Sequence, residues 1–352
     1  MTRYTRLLLQ EMSLAAEKTP SLLNLDSIYF GGGTPSLLNP RQIADLIQLA
    51  GKLFGLEADA EITLEANPGT IDIQRLDGFR QAGINRLSLG IQSFNDRMLT
   101  ALGRIHTAQQ AQDAFTSARR AGFDNIGIDL IHALPGQTDA MWRTELRHAV
   151  QLAPEHLSIY GLTIEEGTPF AEQYGCDSPL LPEEDLVAKM FETADEFLEA
   201  SGFEHYEIAN YARAGLRSRH NCGYWKRDGY LGLGAGAHSF LRDSKHGTRF
   251  SNAADLDEYR IAVHNAVLPH KDFMPLNRAD AMAEFLFLGL RMAEGVLFCS
   301  FEQEFEAGLK VVFGKEITAL LEQGLLTEDT SGIRLTRRGM LLSNQVFQKF
   351  LP

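Results

Sequence analysis

Between Ser27 and Leu162 the chain alternates strand-like runs with amphipathic helical stretches, and this alternation restricts the fold more than any other feature. The strand-like runs are 27–30, 61–65, 86–92, 125–130 and 156–162; helical patterns fill 40–53, 72–82, 107–121 and 139–152. The junctions carry matching local chemistry. Asn39-Pro40 offers an N-cap followed by proline at the first helical position, and Gly83 and Gly122 stand where helices must stop. Parallel neighbours need a long crossover between them, so strands separated by whole helices imply parallel βαβ units. The regular repetition favours a barrel-like arrangement over a doubly wound sheet, with ligands expected where the strands finish.

Polar residues collect at those strand ends. The first run breaks into Gly31-Gly32-Gly33-Thr34-Pro35, where glycine permits positive φ and close backbone approach. Exposed amides there suit a carboxylate or phosphate, and the carbonyls suit an amine. Glu65 precedes Ala66-Asn67-Pro68-Gly69 and reads either as a turn carboxylate or as a ligand contact. Gln92 ends an otherwise apolar strand, and a buried amide needs partners. Asp129, between Ile128 and Leu130, must be paired if buried, and Arg104 in Leu102-Gly103-Arg104-Ile105-His106 is available as a structural partner. Taken together, Gln92 and Glu65 would read hydroxyls, and Asp129 and Arg104 the charged tail, of a small zwitterionic ligand bearing a ribose.

The 352 residues suffice for one large domain and a smaller one, and a hydrophobic content of 44% with 22% charged residues is ordinary for a globular chain. A net charge of −13 argues against sequence-independent nucleic-acid binding. Cys176, Cys222 and Cys299 are widely spaced, which suits a reducing compartment and offers neither a disulfide framework nor a metal-binding pair. No signal peptide and no apolar run near the ~18 residues of a spanning helix is evident, so a cytoplasmic location is expected.

Beyond a long amphipathic helix over 182–202 the texture changes. Residues 206–239 mix aromatics, histidines and glycines, including His220-Asn221-Cys222-Gly223-Tyr224-Trp225 and Gly232-Leu233-Gly234-Ala235-Gly236. Imidazole beside broad aromatic faces suits a flat, apolar, metal-bearing ring. An aromatic mini-core with satisfied histidines accounts for the same composition. The tail reads as helices over 280–292, 300–305 and 315–323, a hairpin over 324–336 and a last helix from 338. That order resembles a winged helix, here read as a packing or docking module rather than a DNA reader.

The ordered motifs Gly31-Gly32-Gly33-Thr34-Pro35-Ser36-Leu37, Glu65-Ala66-Asn67-Pro68, Gly90-Ile91-Gln92-Ser93-Phe94, Leu102–His106, Asp129–Gly136 and His220–Trp225 resemble those of the HemW haem chaperones. These are radical S-adenosylmethionine (SAM) proteins related to oxygen-independent coproporphyrinogen III oxidase. The resemblance implies an α/β fold: a partial (βα)6 TIM-like barrel over 1–203, a connecting region over 204–270, and a winged-helix-like α+β domain over 271–352. It implies SAM contacts at Gly32, Gly33, Thr34, Glu65, Gln92, Arg104 and Asp129. It further implies haem binding at His220, Asn221, Tyr224 and Trp225, with His220 as iron ligand. The implied partners are haem-accepting membrane respiratory enzymes, met at the inner face of the membrane, with the chain a monomer or weak dimer. The family also carries a first strand and a Cys-x-x-x-Cys-x-x-Cys loop that holds a [4Fe–4S] cluster, and Cys176, Cys222 and Cys299 do not match it. The chain as written is therefore expected to lack that strand and the cluster ligands and to generate no 5′-deoxyadenosyl radical. Three readings follow: a haem chaperone, a coproporphyrinogen III oxidase-type enzyme, or a cluster-free SAM-binding remnant.

Overall fold

The computed structural model describes residues 2–18, 24–175 and 178–351, so Cys176 lies outside the described residues. The backbone forms two compact units. One comprises Ser27–Ile47 and Ala60–Ser218; the other comprises Met1–Asp26, Gln48–Asp59 and Arg219–Pro352.

The first unit is organised on a seven-stranded sheet. Its strands are β1 (Leu25–Phe30), β2 (Leu56–Ala66), β3 (Arg86–Gln92), β4 (Ile126–His132), β5 (His156–Gly161), β6 (Glu204–Glu207) and β7 (Asn210–Ala212), in the order β1-β2-β3-β4-β5-β7-β6. Strands β2 to β5 are parallel, with Thr63 opposite Arg86, Ser88 opposite Gly127 and Asp129 opposite Ser158. The helices between them start and stop where the sequence chemistry placed them. Asn39 and Gln42 exchange reciprocal bonds of 2.9 Å, Asp72 accepts from Arg75 N, and Thr107 and Gln110 form a capping box. Gly83 and Gly122 end their helices at φ +110° and +81°. This is the expected partial barrel. It finishes differently from a βα repeat: β7 runs antiparallel to β5, and β6 antiparallel to β7. The turn at Ile208-Ala209 is far too short for a parallel crossover, so the chain can only fold back as a hairpin.

Alternation along the strands separates two chemistries. Ile62, Leu64, Leu87, Leu89, Ile91, Ile126, Ile128, Leu130, Leu157 and Ile159 form one buried apolar face. The register puts Glu61, Thr63 and Glu65, Arg86 and Ser88, Asp129, and His156, Ser158 and Tyr160 on the other. At the N-terminal ends of the strands this polar face is closed: buried Arg86 lies 3.9 Å from Glu61, and His156 Nε2 and the Tyr206 hydroxyl are 2.8 Å apart.

In the second unit the helix Thr2–Lys18 carries Glu11, 1% exposed, into a set of donors. Asn252 Nδ2 donates at 2.5 Å, the Tyr259 hydroxyl at 2.7 Å and Gly234 N at 2.8 Å. Strands β8 (His238–Leu241), β9 (Thr248–Asn252) and β10 (His270–Pro275) form an antiparallel sheet ordered β10-β9-β8. Helices Arg278–Gly289, Phe298–Phe305 and Leu309–Glu322 pack with β11 (Val296–Leu297), β12 (Leu326–Glu328) and β13 (Gly332–Leu335), ordered β11-β13-β12, as the winged-helix-like element. Among the described residues no helix is long and apolar enough to cross a membrane, and Cys222 and Cys299 form no disulfide.

Trp142 is fully buried in the helix Asp139–Gln151, and its indole N–H donates to the Met190 carbonyl at 2.9 Å. Trp142→Ala removes that packing and the indole's hydrogen bond to the helix carbonyl. Thermal or denaturant unfolding should register a loss of about 3–5 kcal/mol.

Candidate functional site

The C-terminal ends of β1 to β4 converge on a cluster of polar groups. Glu65 ends β2, but its carboxylate does not serve the Asn67-Pro68 turn. It accepts from the Tyr29 hydroxyl at 2.7 Å and from Gly32 N at 3.3 Å. Gly32 and Gly33 hold φ of +74° and +62°, and a Cβ built at either would meet nothing within 4 Å. The glycine loop thus exposes open backbone beside a carboxylate, a cradle for an amine or a carboxylate of a small ligand. Thr34 follows, its carbonyl closing the turn to Leu37 N.

Asp129 on β4 receives the Ser88 hydroxyl at 3.1 and 3.2 Å and a further hydrogen bond from Ser158. Burial, with the Glu65 charge adding to it, pushes its carboxyl up to about 6, against the lowering effect of both serines and of Arg86. Arg104 acts on Asp129 through its charge, and its own pKa is lowered by burial. The serines, not an arginine fork, are therefore the direct hydrogen-bond partners of Asp129. Tyr160, 44% exposed at the end of β5, feels the charges of Asp129 and Glu65, and burial of its hydroxyl raises its pKa.

Gln92 ends β3 opposite Leu130 with φ +69°, a left-handed backbone that a side chain rarely adopts. Ser93 N donates to the Ile91 carbonyl at 2.9 Å, so Gln92 is the apex of a three-residue turn in the rare positive-φ form. Strain of this kind costs roughly 1–3 kcal/mol and is concentrated at ligand sites. A Cβ on Gly90 would stand 3.0 Å from Gln92 Nε2 and 3.2 Å from Asn67 Oδ1, so the glycine leaves room for both amides. Gly32, Gly33, Thr34, Glu65, Gln92, Arg104 and Asp129 all lie on or just beyond these strand ends. Sequence reasoning passed over Tyr29, Ser88, Ser158 and Tyr160. Only the strand register, which sets Ser88 opposite Glu65 and Ser158 opposite Asp129, brings the two serines in.

In the second unit His220, Asn221, Tyr224 and Trp225 share one short helix, Arg219–Trp225, and all four are half-buried. His220 and Tyr224 are one turn apart; His220 Nε2 and the Tyr224 hydroxyl are 2.8 Å apart and the rings meet edge-on at 4.7 Å. Tyr224 stands edge-on to Tyr230 at 4.6 Å, and the Arg291 guanidinium lies 4.2 Å over the Trp225 ring. The helix therefore combines an imidazole reachable from one side with several aromatic faces.

The raised Asp129 carboxyl makes a testable demand. Folding lifts its pKa above the ordinary 3.8, so the folded state binds the proton more tightly and stability falls as pH rises from about 4 to 6. Above pH 6 the ionised carboxylate works against the fold, by roughly 1–3 kcal/mol. Asp129→Asn should raise the Tm at pH 7.5, with the gain shrinking toward pH 4, while weakening binding of a cationic ligand. A gain equal at both pH values would remove the ionised carboxylate from the account.

Residues 5–149 match the Radical SAM superfamily, and residues 276–342 match the HemN C-terminal domain. The heme chaperone HemW of Lactococcus lactis is 37% identical, over 93% of this chain and 85% of that protein. The Escherichia coli heme chaperone HemW is 36% identical, over 92% and 84% respectively. A mouse radical S-adenosyl methionine domain-containing protein 1, mitochondrial, is 36% identical over 93% of this chain and 76% of its own. Among solved structures, the Escherichia coli coproporphyrinogen III oxidase HemN, a radical SAM enzyme, superposes with a TM-score of 0.83 at 26% identity, covering 99% of this chain and 82% of that one. The half-barrel and the C-terminal domain agree with these matches, and the chain belongs to the HemW family of radical SAM proteins.

Proposed function

We propose that this chain binds haem at the helix Arg219–Trp225 and hands it on to haem-requiring proteins, with SAM held at the strand ends of the half-barrel. The observation that carries the reading is the His220–Tyr224 pair. The Nε2 of a half-buried imidazole lies 2.8 Å from a phenol, on a helix whose side chains keep some solvent access. Iron can take that nitrogen by displacing the hydroxyl, and Tyr224, Trp225 and Tyr230 offer apolar faces to the macrocycle. Asn221, on the same helix, completes the proposed haem set. Ligation that competes with an internal hydrogen bond suits cargo that must leave again.

At the strand ends, Gly32, Gly33 and Thr34 would take the methionine part of SAM. Glu65 and Gln92 would take the hydroxyls, and Asp129 and Arg104 the charged tail. The open glycine backbone and the mixed acid–base donor set fit a zwitterionic nucleoside. When bound beside a reducing cluster, SAM supplies a 5′-deoxyadenosyl group. Among the described residues no three His, Cys, Asp or Glu side chains form a metal site, so no step is assigned to a cluster. The domain reading that accompanies this function assigns 1–203 to the barrel, 204–270 to the haem-binding connection and 271–352 to the C-terminal domain. The HemN C-terminal match over 276–342 supports the last boundary. Membrane respiratory enzymes are the proposed recipients, met from the cytoplasm at the inner membrane face by a monomer or weak dimer.

Titration of the chain with haemin should shift the Soret band, and His220→Ala should weaken binding at least tenfold. Identical spectra for the two proteins would take His220 out of the site. The likeness to HemN favours one second reading, coproporphyrinogen III decarboxylation, which predicts porphyrinogen turnover by a form reconstituted with the family's cluster and none by the chain as written.

A further inference from the structure

The strained turn at Gln92 is gripped on both sides by buried titratable groups that touch no proposed ligand contact except through the backbone. On one side, the carboxylate of Glu145, from the helix Asp139–Gln151, accepts the Ser93 hydroxyl at 2.9 Å and Phe94 N at 2.5 Å. On the other, His106 Nε2 meets the Ile91 carbonyl at 3.1 Å, the same carbonyl that accepts from Ser93 N. Glu145 and His106 are 5% and 4% exposed, and burial raises the pKa of the first and lowers that of the second. The Ser93 hydroxyl also accepts from Asn95 N at 3.0 Å, which ties the Glu145 contact to the N-cap of the next helix, Asp96–Ala101.

Neither group is needed to bury apolar surface, and a buried carboxylate in a helix that packs against the sheet is costly unless it is used. A positive-φ residue other than glycine persists only where its surroundings over-determine it. Here residues 91, 93 and 94, on either side of Gln92, are held by bonds to two other segments. We infer that Glu145 is a positioning residue for the nucleoside pocket: with His106 as the opposing hold, it keeps Gln92 in the left-handed turn that aims its amide at the ligand. It acts on affinity through Gln92 and not by contact. This inference rests on the SAM reading of the strand-end pocket.

A double-mutant cycle tests it, with SAM affinity of the full chain measured by equilibrium dialysis. Gln92→Ala should weaken SAM binding about tenfold, and Glu145→Gln, which keeps the shape but weakens the acceptor, about fivefold. In the Gln92→Ala background, Glu145→Gln should cost nothing further, and hydrogen exchange of the segment 91–95 should quicken in Glu145→Gln while the haemin titration stays unchanged. Equal losses in both backgrounds, or no loss from Glu145→Gln alone, would overturn the inference and leave the pocket standing. No SAM binding by the unaltered chain, or none lost in Gln92→Ala, would overturn the pocket reading at Gln92 and this inference with it.

Discussion

Everything at the proposed nucleoside pocket depends on a sheet with one apolar and one polar face. A half-barrel with apolar residues on both faces would fill its interior with side chains and leave no place for a ligand. Here the interior-facing positions of β2 to β5 carry Glu61, Thr63, Glu65, Arg86, Ser88, Asp129, His156 and Ser158 instead. Such a face is expensive to fold, because each partly buried polar group must find a partner. At the closed end Arg86 lies 3.9 Å from Glu61 and His156 Nε2 lies 2.8 Å from the Tyr206 hydroxyl, while Arg86 Nε and His156 Nδ1 stay buried without a hydrogen bond. At the other end Asp129 has two serine hydroxyls, a nearby carboxylate and a raised pKa. On the proposed reading that residue trades stability for ligand affinity.

The haem-binding proposal rests on different physics. The helix Arg219–Trp225 has only seven residues and cannot be stable alone. Its order comes from packing, including the cation–π contact of Arg291 on Trp225 and the edge-on contact of Tyr224 with Tyr230. A histidine there is half-buried rather than sealed in the core. Its partner is a phenol, which a metal can displace. Both features favour a carrier over a resident cofactor site.

Much of this was legible in the chain itself. The strand–helix alternation, Asn39-Pro40 and the terminating glycines located the half-barrel, and the lone polar residues in strands pointed to the proposed pocket. The hairpin at 204–212 was not legible, because two three- or four-residue strands carry too little periodicity to register. Ser88 and Ser158 were passed over because serine in a strand is unremarkable until register places it beside Asp129. Glu145 carries no signal in the sequence, since its partners lie in a loop 51 residues away. The turn at Gln92 is a backbone property, and nothing in Gly90-Ile91-Gln92-Ser93 announces a left-handed glutamine.

The central claim, reversible carriage of an unaltered iron porphyrin, is tested most directly by haem transfer. The haem-loaded chain is mixed with an apo haem protein, the Soret bands of donor and acceptor are followed, and the porphyrin is then extracted and weighed by mass spectrometry. The account predicts transfer to completion with the mass unchanged. Haem that stays on the chain, or a porphyrin recovered with carboxyl groups missing, would contradict it.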